Sequence, residues 1–219
     1  MKNSLVAISV FFAAAVGLFM PRAGQIIAQN VMLEPGEALR SVHVEARHYL
    51  TMAACAALSN GLCLMAFGLT WVAAVAFLFC GVLLVSALVD HWHNLLPDVV
   101  TLTLLWIGLL VSVGHAFASP VDAILGAVAG YVGLRTVSIG AAVATGRDGI
   151  GGGDFKLLAA IGAWLGWQVL LPVVLISSVV AVAHGLWLKR GGKGHENLAY
   201  GPGLTLGALV MLFSNPLIF

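Results

Sequence analysis

Charge is what this chain lacks most. Ten Lys and Arg and nine Asp and Glu make up 9% of its 219 residues, against about 25% in an ordinary soluble domain. That shortage excludes a water-soluble fold. The net charge of +1 comes without any basic stripe, which gives a nucleic acid nothing to hold. Cysteine is also scarce. Cys55, Cys63 and Cys80 all fall in apolar stretches, with no Cys-x-x-Cys pair and no neighbouring His at metal spacing. They read as small buried hydrophobes and say nothing about redox compartment. What remains is 61% hydrophobic, with a mean hydropathy of +1.04. The expected fold is all-α, a polytopic transmembrane helical bundle of about eight spans.

Residues 4–20 are just long enough to cross a bilayer and read as a retained helix rather than a cleaved signal. Residues 21–48, with Arg22, Glu34, Glu37, Arg40, Glu45 and Arg47, form the only long polar segment and read as a mixed-charge loop. Residues 49–89 hold two spans with a turn near Gly68, and 99–117 and 121–145 hold two more. Residues 157–188 allow one long tilted helix or two short ones broken at Gly166-Trp167-Gln168 and Pro172, and a last span runs from about 201 to 215. Charge decides between these counts, because short cytoplasmic loops collect Lys and Arg. Eight spans put Arg22, Arg40, Arg47, Arg147, Lys156, Lys189, Arg190 and Lys193 on one side and only Lys2 on the other, with Arg135 left inside a span. The chain then divides into an N-terminal helix and loop, 1–48, and a membrane-embedded remainder, 49–219. Gly126 and Gly130, and Gly162 and Gly166, have the spacing that lets helix backbones approach in lipid.

Two acids stand at the ends of apolar segments. Asp154 closes the run Gly149-Ile150-Gly151-Gly152-Gly153 ahead of Leu157-Leu158-Ala159-Ala160, and Asp90 follows Leu83-Leu84-Val85-Ser86-Ala87-Leu88-Val89. A carboxylate in such a place needs a partner or a task. Eight spans set both on the cytoplasmic side, as a dyad requires. Two close carboxylates share one proton, so one can accept from water while the other donates to a peptide carbonyl, without any metal. At the N-terminal end of a helix the macrodipole favours an anion, which makes Asp154 the expected base and Asp90 the acid. Gly151 and Gly153 are expected to free the backbone for unusual dihedrals and for close approach of an extended substrate strand.

Asp98, after Leu96-Pro97, reads as a helix cap, with Pro97 marking the helix start. Asp148 reads as solvated, and His91 and His93 as solvated loop residues. Lys156 is expected either to orient Asp154 or to anchor the chain at the membrane surface, and Arg135 has no evident partner.

Asp90-x6-Pro97-Asp98 with Thr101-Leu102 and Leu104-Leu105-Trp106, then Gly151-Gly152-Gly153-Asp154-Phe155-Lys156-Leu157-Leu158 with Gly162-Ala163-Trp164-Leu165-Gly166-Trp167, and finally Tyr200-Gly201-Pro202, resemble the type IV prepilin peptidases. These are GxGD-type intramembrane aspartyl proteases, and the resemblance covers about residues 80–215. It implies that 49–219 form a transmembrane aspartyl peptidase domain in the bacterial inner membrane, with its active site at the cytoplasmic face. It implies Asp90 and Asp154 as catalytic, and prepilins or pseudopilins of a type IV pilus or type II secretion system as substrates, cleaved after the terminal Gly of a short basic leader. Bifunctional members also methylate the product with S-adenosylmethionine and often carry two Cys-x-x-Cys pairs in the first loop. Residues 21–48 contain no cysteine, and Met20-Pro21-Arg22 is a remnant of the usual Asn-x-x-x-Arg-x-Pro stretch. The expectation is therefore a peptidase without a cofactor, S-adenosylmethionine entering only where methylation is retained. A different class is a small proton- or cation-coupled transporter using the same acids, but that places them near the midplane and within an inverted repeat, and neither feature is evident here.

Overall fold

The computed structural model describes residues 2–31, 45–146, 151–190 and 199–214. Among these the chain is helical throughout, in eight α-helices: α1 (Lys2–Val31), α2 (Ala46–Phe67), α3 (Trp71–His93), α4 (Asp98–Val113), α5 (Pro120–Thr145), α6 (Gly152–Leu165), α7 (Leu170–Arg190) and α8 (Gly201–Ser214). Five of them, α1, α2, α3, α5 and the helical stretch from Trp167 to Trp187, are long and apolar enough to cross a membrane. The protein is a multi-pass membrane protein. The count of eight helices is as expected, but not all are full spans. At 1.5 Å per residue, α6 with its 14 residues measures about 21 Å, short of a hydrocarbon core about 30 Å thick. The 16-residue α4 and the 14-residue α8 are likewise short apolar helices.

The chain forms two compact units, residues 1–93 and 94–219. In the first, α1 lies against α2 so closely that a Cβ on Gly17 would stand 2.6 Å from the Ala53 Cα and from the Met52 carbonyl oxygen. Ala13, Ala56, Cys63, Ala76 and Cys80 fill the space between the three helices, which confirms the cysteines as buried or half-buried free thiols. The loop expected from residue 21 does not begin there. α1 continues through Pro21 to Val31, and Gly24 brings it within van der Waals reach of Val89 and Trp92 on α3. Proline is tolerated inside membrane helices where neighbouring structure supports the freed carbonyl. Glu34, Glu37 and Arg40 lie outside the described residues.

The second unit is built around α6. From Leu157 to Leu165 this helix is buried at every position, so it touches protein on all sides. The glycine spacing has the expected use on one of those sides. A Cβ on Gly126 of α5 would overlap the Gly162 carbonyl of α6, and one on Gly130 would stand 2.7 Å from the Leu158 oxygen. Gly166, by contrast, ends α6 with φ +85°, a conformation open to glycine. A single 3₁₀ turn, Trp167–Val169, then leads into α7, whose Pro172 sits in the first turn, where no helical donor is lost. On α8, Gly203 and Gly207 pack against Ser177 and Val173 of α7, and the Ser177 hydroxyl donates to Tyr200 Oη at 2.8 Å. At the other end of α5, Ser119 caps the helix and Pro120 begins it. The Asp122 carboxylate there accepts from Ser119 Oγ (2.6 Å), Trp167 Nε1 (3.1 Å) and Gln168 Nε2 (3.0 Å), knotting α5 to the turn after α6.

Candidate functional site

Asp154 is the third residue of α6 and only 7% exposed. Gly151 caps the helix, and the Asp154 amide donates to the Gly151 carbonyl at 3.1 Å. The carboxyl group therefore lies in the first turn, the end of a helix whose dipole favours negative charge. Gly151 and Gly153 do not take the unusual dihedrals expected of them. Gly151 has φ −69° and ψ 147°, open to any residue, and Gly153 is helical. Residues 152 and 153 thus present a helical turn and not a strand edge. What the glycines supply is closeness. A Cβ on Gly153 would stand 2.7 Å from the Leu96 Cβ and 3.2 Å from its oxygen, while one on Gly151 would stand 3.4 Å from Asp154 Oδ2. Gly149, Ile150, Arg147 and Asp148 lie outside the described residues.

Asp90 is 5% exposed and belongs to the first unit. It does not open a loop. α3 runs on to His93, so that Asp90, His91 and His93 are all helical and Asp90 stands in the closing turn of α3. His91 is exposed and His93 half-buried. Asn94, with φ +52°, and Pro97 end the helix and leave a connection of only four residues before α4.

Pro97 starts α4 as expected, but the capping role read for Asp98 is not what the structure contains. Pro97 itself takes the N-cap position, its carbonyl accepting from the Val100 and Thr101 amides at 3.1 and 3.2 Å. Asp98 is the first helical residue, and its Oδ1 receives Lys156 Nζ at 2.5 Å. Lys156 accordingly does not orient Asp154 by contact. Residues two apart on a helix point about 200° from each other, so Lys156 faces away from the acid it follows.

Four further contacts of the second unit go beyond what the sequence reading named. Trp164, 1% exposed, donates from Nε1 to the Leu104 carbonyl of α4 at 2.8 Å, its ring filling a notch at Gly108. Tyr131 of α5 meets Phe155 edge-on at 6.3 Å. Arg135 donates to Tyr131 Oη at 3.1 Å and lies 6.0 Å from the ring centre; a partner one turn earlier is a relation that i, i+4 spacing makes readable. The Asp122 knot joins residues more than forty positions apart along the chain, and a long-range hydrogen bond leaves no local pattern.

Two buried acids thus stand at helix ends of a multi-pass membrane protein, Asp90 in the last turn of α3 and Asp154 in the first turn of α6. Residues 77–186 match the model of the type IV leader peptidase family. The chain is 39% identical over 214 residues to the prepilin leader peptidase/N-methyltransferase of Stutzerimonas stutzeri, covering 91% of this chain and 74% of that protein. It is 39% identical to the prepilin leader peptidase/N-methyltransferase of Pseudomonas aeruginosa over 168 residues, 76% of this chain and 58% of the relative. The protein of that name in Burkholderia pseudomallei is 42% identical over 172 residues, 78% of this chain and 55% of the relative. The chain thus spans between about half and three quarters of the length of these relatives. No solved structure matches it. The chain belongs to the type IV leader peptidase family, and so to the proteases. Nothing in these comparisons supports a transporter.

Proposed function

We propose that this protein is an intramembrane aspartyl endopeptidase of the bacterial inner membrane. It removes the short basic leader from type IV prepilins or pseudopilins, cutting after the terminal Gly of the leader at the cytoplasmic face. The observation that carries this reading is the pair of buried carboxylates, Asp90 at 5% and Asp154 at 7% exposure, at the ends of helices in a chain of the leader peptidase family. Asp154, in the first turn of α6, acts as the ionised base and takes a proton from the attacking water. Asp90, near the carbonyl end of α3, acts as the acid and protonates the scissile carbonyl oxygen. The tetrahedral intermediate then collapses with the proton passing to the leaving amine. Carboxylates alone supply this hydrolysis, and no cofactor enters it. The peptidase function resides in residues 49–219. Gly151 and Gly153 keep the start of α6 clear of side chains, with Pro97 and Lys156 supporting that end. The relatives are named as N-methyltransferases as well. With no cysteine in residues 21–48, peptidase activity is the firmer part of this reading, and S-adenosylmethionine enters only where methylation is retained.

The test is to co-express a panel of prepilins with the wild type, Asp90→Asn and Asp154→Asn at equal membrane levels. Wild type is expected to cleave after the leader Gly and both variants to fail. Full cleavage by either variant removes that acid from the mechanism, and failure of the wild type on every prepilin overturns the reading.

A further inference from the structure

Two contacts of different kinds join the short segment before α4 to the first turn of α6. One is steric. Leu96, 8% exposed, lies against Gly153 so closely that any side chain there would displace it. The other is ionic, the pair of Asp98 Oδ1 with Lys156 Nζ at 2.5 Å. They fall on either side of Asp154, one residue before it and two residues after. The segment they hold directly follows α3 along the chain, with Asp98 eight residues beyond Asp90 in sequence. An ion pair whose carboxylate is 60% exposed adds little to global stability, so stability alone gives no reason for its place beside the buried acid.

We infer that Leu96–Gly153 and Asp98–Lys156 form a clamp that fixes the first turn of α6, and that Asp98 and Lys156 are positioning residues for Asp154. Neither touches the reacting atoms. Lys156 acts through its partner, setting the height and rotation of the helix end from which Asp154 projects. A displacement of the order of 1 Å at such a group costs a peptidase about a hundredfold in rate. This role rests on the peptidase reading for its consequence in catalysis, though not for the clamp itself.

The experiment compares the full-length protein in membranes with Asp98→Asn, Lys156→Met, the double variant, and the reversed pair Asp98→Lys/Lys156→Asp. Turnover and KM are measured on a prepilin with a short basic leader, and hydrogen exchange is followed at the amides of residues 155–158. Each single variant is expected to lower kcat by about tenfold to a hundredfold with KM little changed. The double variant is expected to be no worse than either single one, and the reversed pair to recover most of the loss. Exchange at 155–158 rises by about threefold to fivefold in the single variants and falls back in the reversed pair. If Asp98→Asn keeps wild-type kcat while Lys156→Met does not, Lys156 contacts substrate directly and the clamp is refuted. A reversed pair as impaired as the single variants refutes it too. If the wild type cleaves no prepilin, the peptidase reading falls, and the exchange measurement still decides whether the clamp exists.

Discussion

Replacing Gly108 by Ala should destabilise the protein, although alanine is the better helix former by about 1 kcal/mol. The reason lies across the interface. A Cβ at position 108 would overlap the Trp164 ring, coming within 2.7 Å of Nε1 and 3.1 Å of Cγ. The ring cannot swing aside cheaply, because its N–H is bonded to the Leu104 carbonyl at 2.8 Å and the side chain is 1% exposed. Forcing a methyl group into such a place costs about 1–3 kcal/mol, so overlap outweighs propensity and the net loss is up to about 2 kcal/mol. The sign should reverse once the obstacle is removed. Trp164→Ala by itself costs about 3–5 kcal/mol, but in that background Gly108→Ala should stabilise, by up to about 1 kcal/mol. Reversible unfolding of the four proteins in one detergent, with the two effects compared as a double-mutant cycle, gives the coupling directly. A Gly108→Ala protein as stable as the wild type, or an effect of equal sign and size in both backgrounds, would refute this account of the α4–α6 contact.

Gly126→Leu should be more damaging, since the added side chain meets the Gly162 backbone and not a movable group; little folded protein is expected at 37 °C, as read by protease resistance in membranes. Gly153→Val should abolish cleavage while the protein stays membrane-inserted, because the branched side chain displaces Leu96 from the first turn of α6, which carries Asp154. Wild-type turnover in that variant would show that the contact has no bearing on the acid.

Much of this architecture was readable from the chain. The break at Gly166-Trp167-Gln168, the start of α4 at Pro97 and the glycine contact between α5 and α6 follow from local rules on positive φ, on proline and on small residues in lipid. The helix ends beyond Met20 and Val89 were misplaced for a shared reason. Arg22, Asp90, His91 and His93 are polar, and polarity alone suggests a helix end at each of these places, although the helices run on. A polar residue ends the apolar stretch, but backbone hydrogen bonding continues until a residue such as Asn94, in the left-handed region, interrupts it. Asp98 failed differently. Its neighbours suggested a cap, but the group that claims its carboxylate lies fifty-eight residues away. At Gly153 the structure has close approach to Leu96 in place of the unusual dihedrals expected from the sequence, because which helix or loop meets a glycine is decided by tertiary packing.

The enclosure of α6 from Leu157 to Leu165 bears on how the protein is made. A helix buried at every position from Leu157 to Leu165 offers lipid little face of its own, so little in the bilayer holds it before its neighbours arrive. Its partner α5 has just been synthesised, and six residues separate them. The two are therefore expected to enter the membrane together, meeting backbone to backbone at Gly126 and Gly162, with the segment carrying Asp154 following the helix before it.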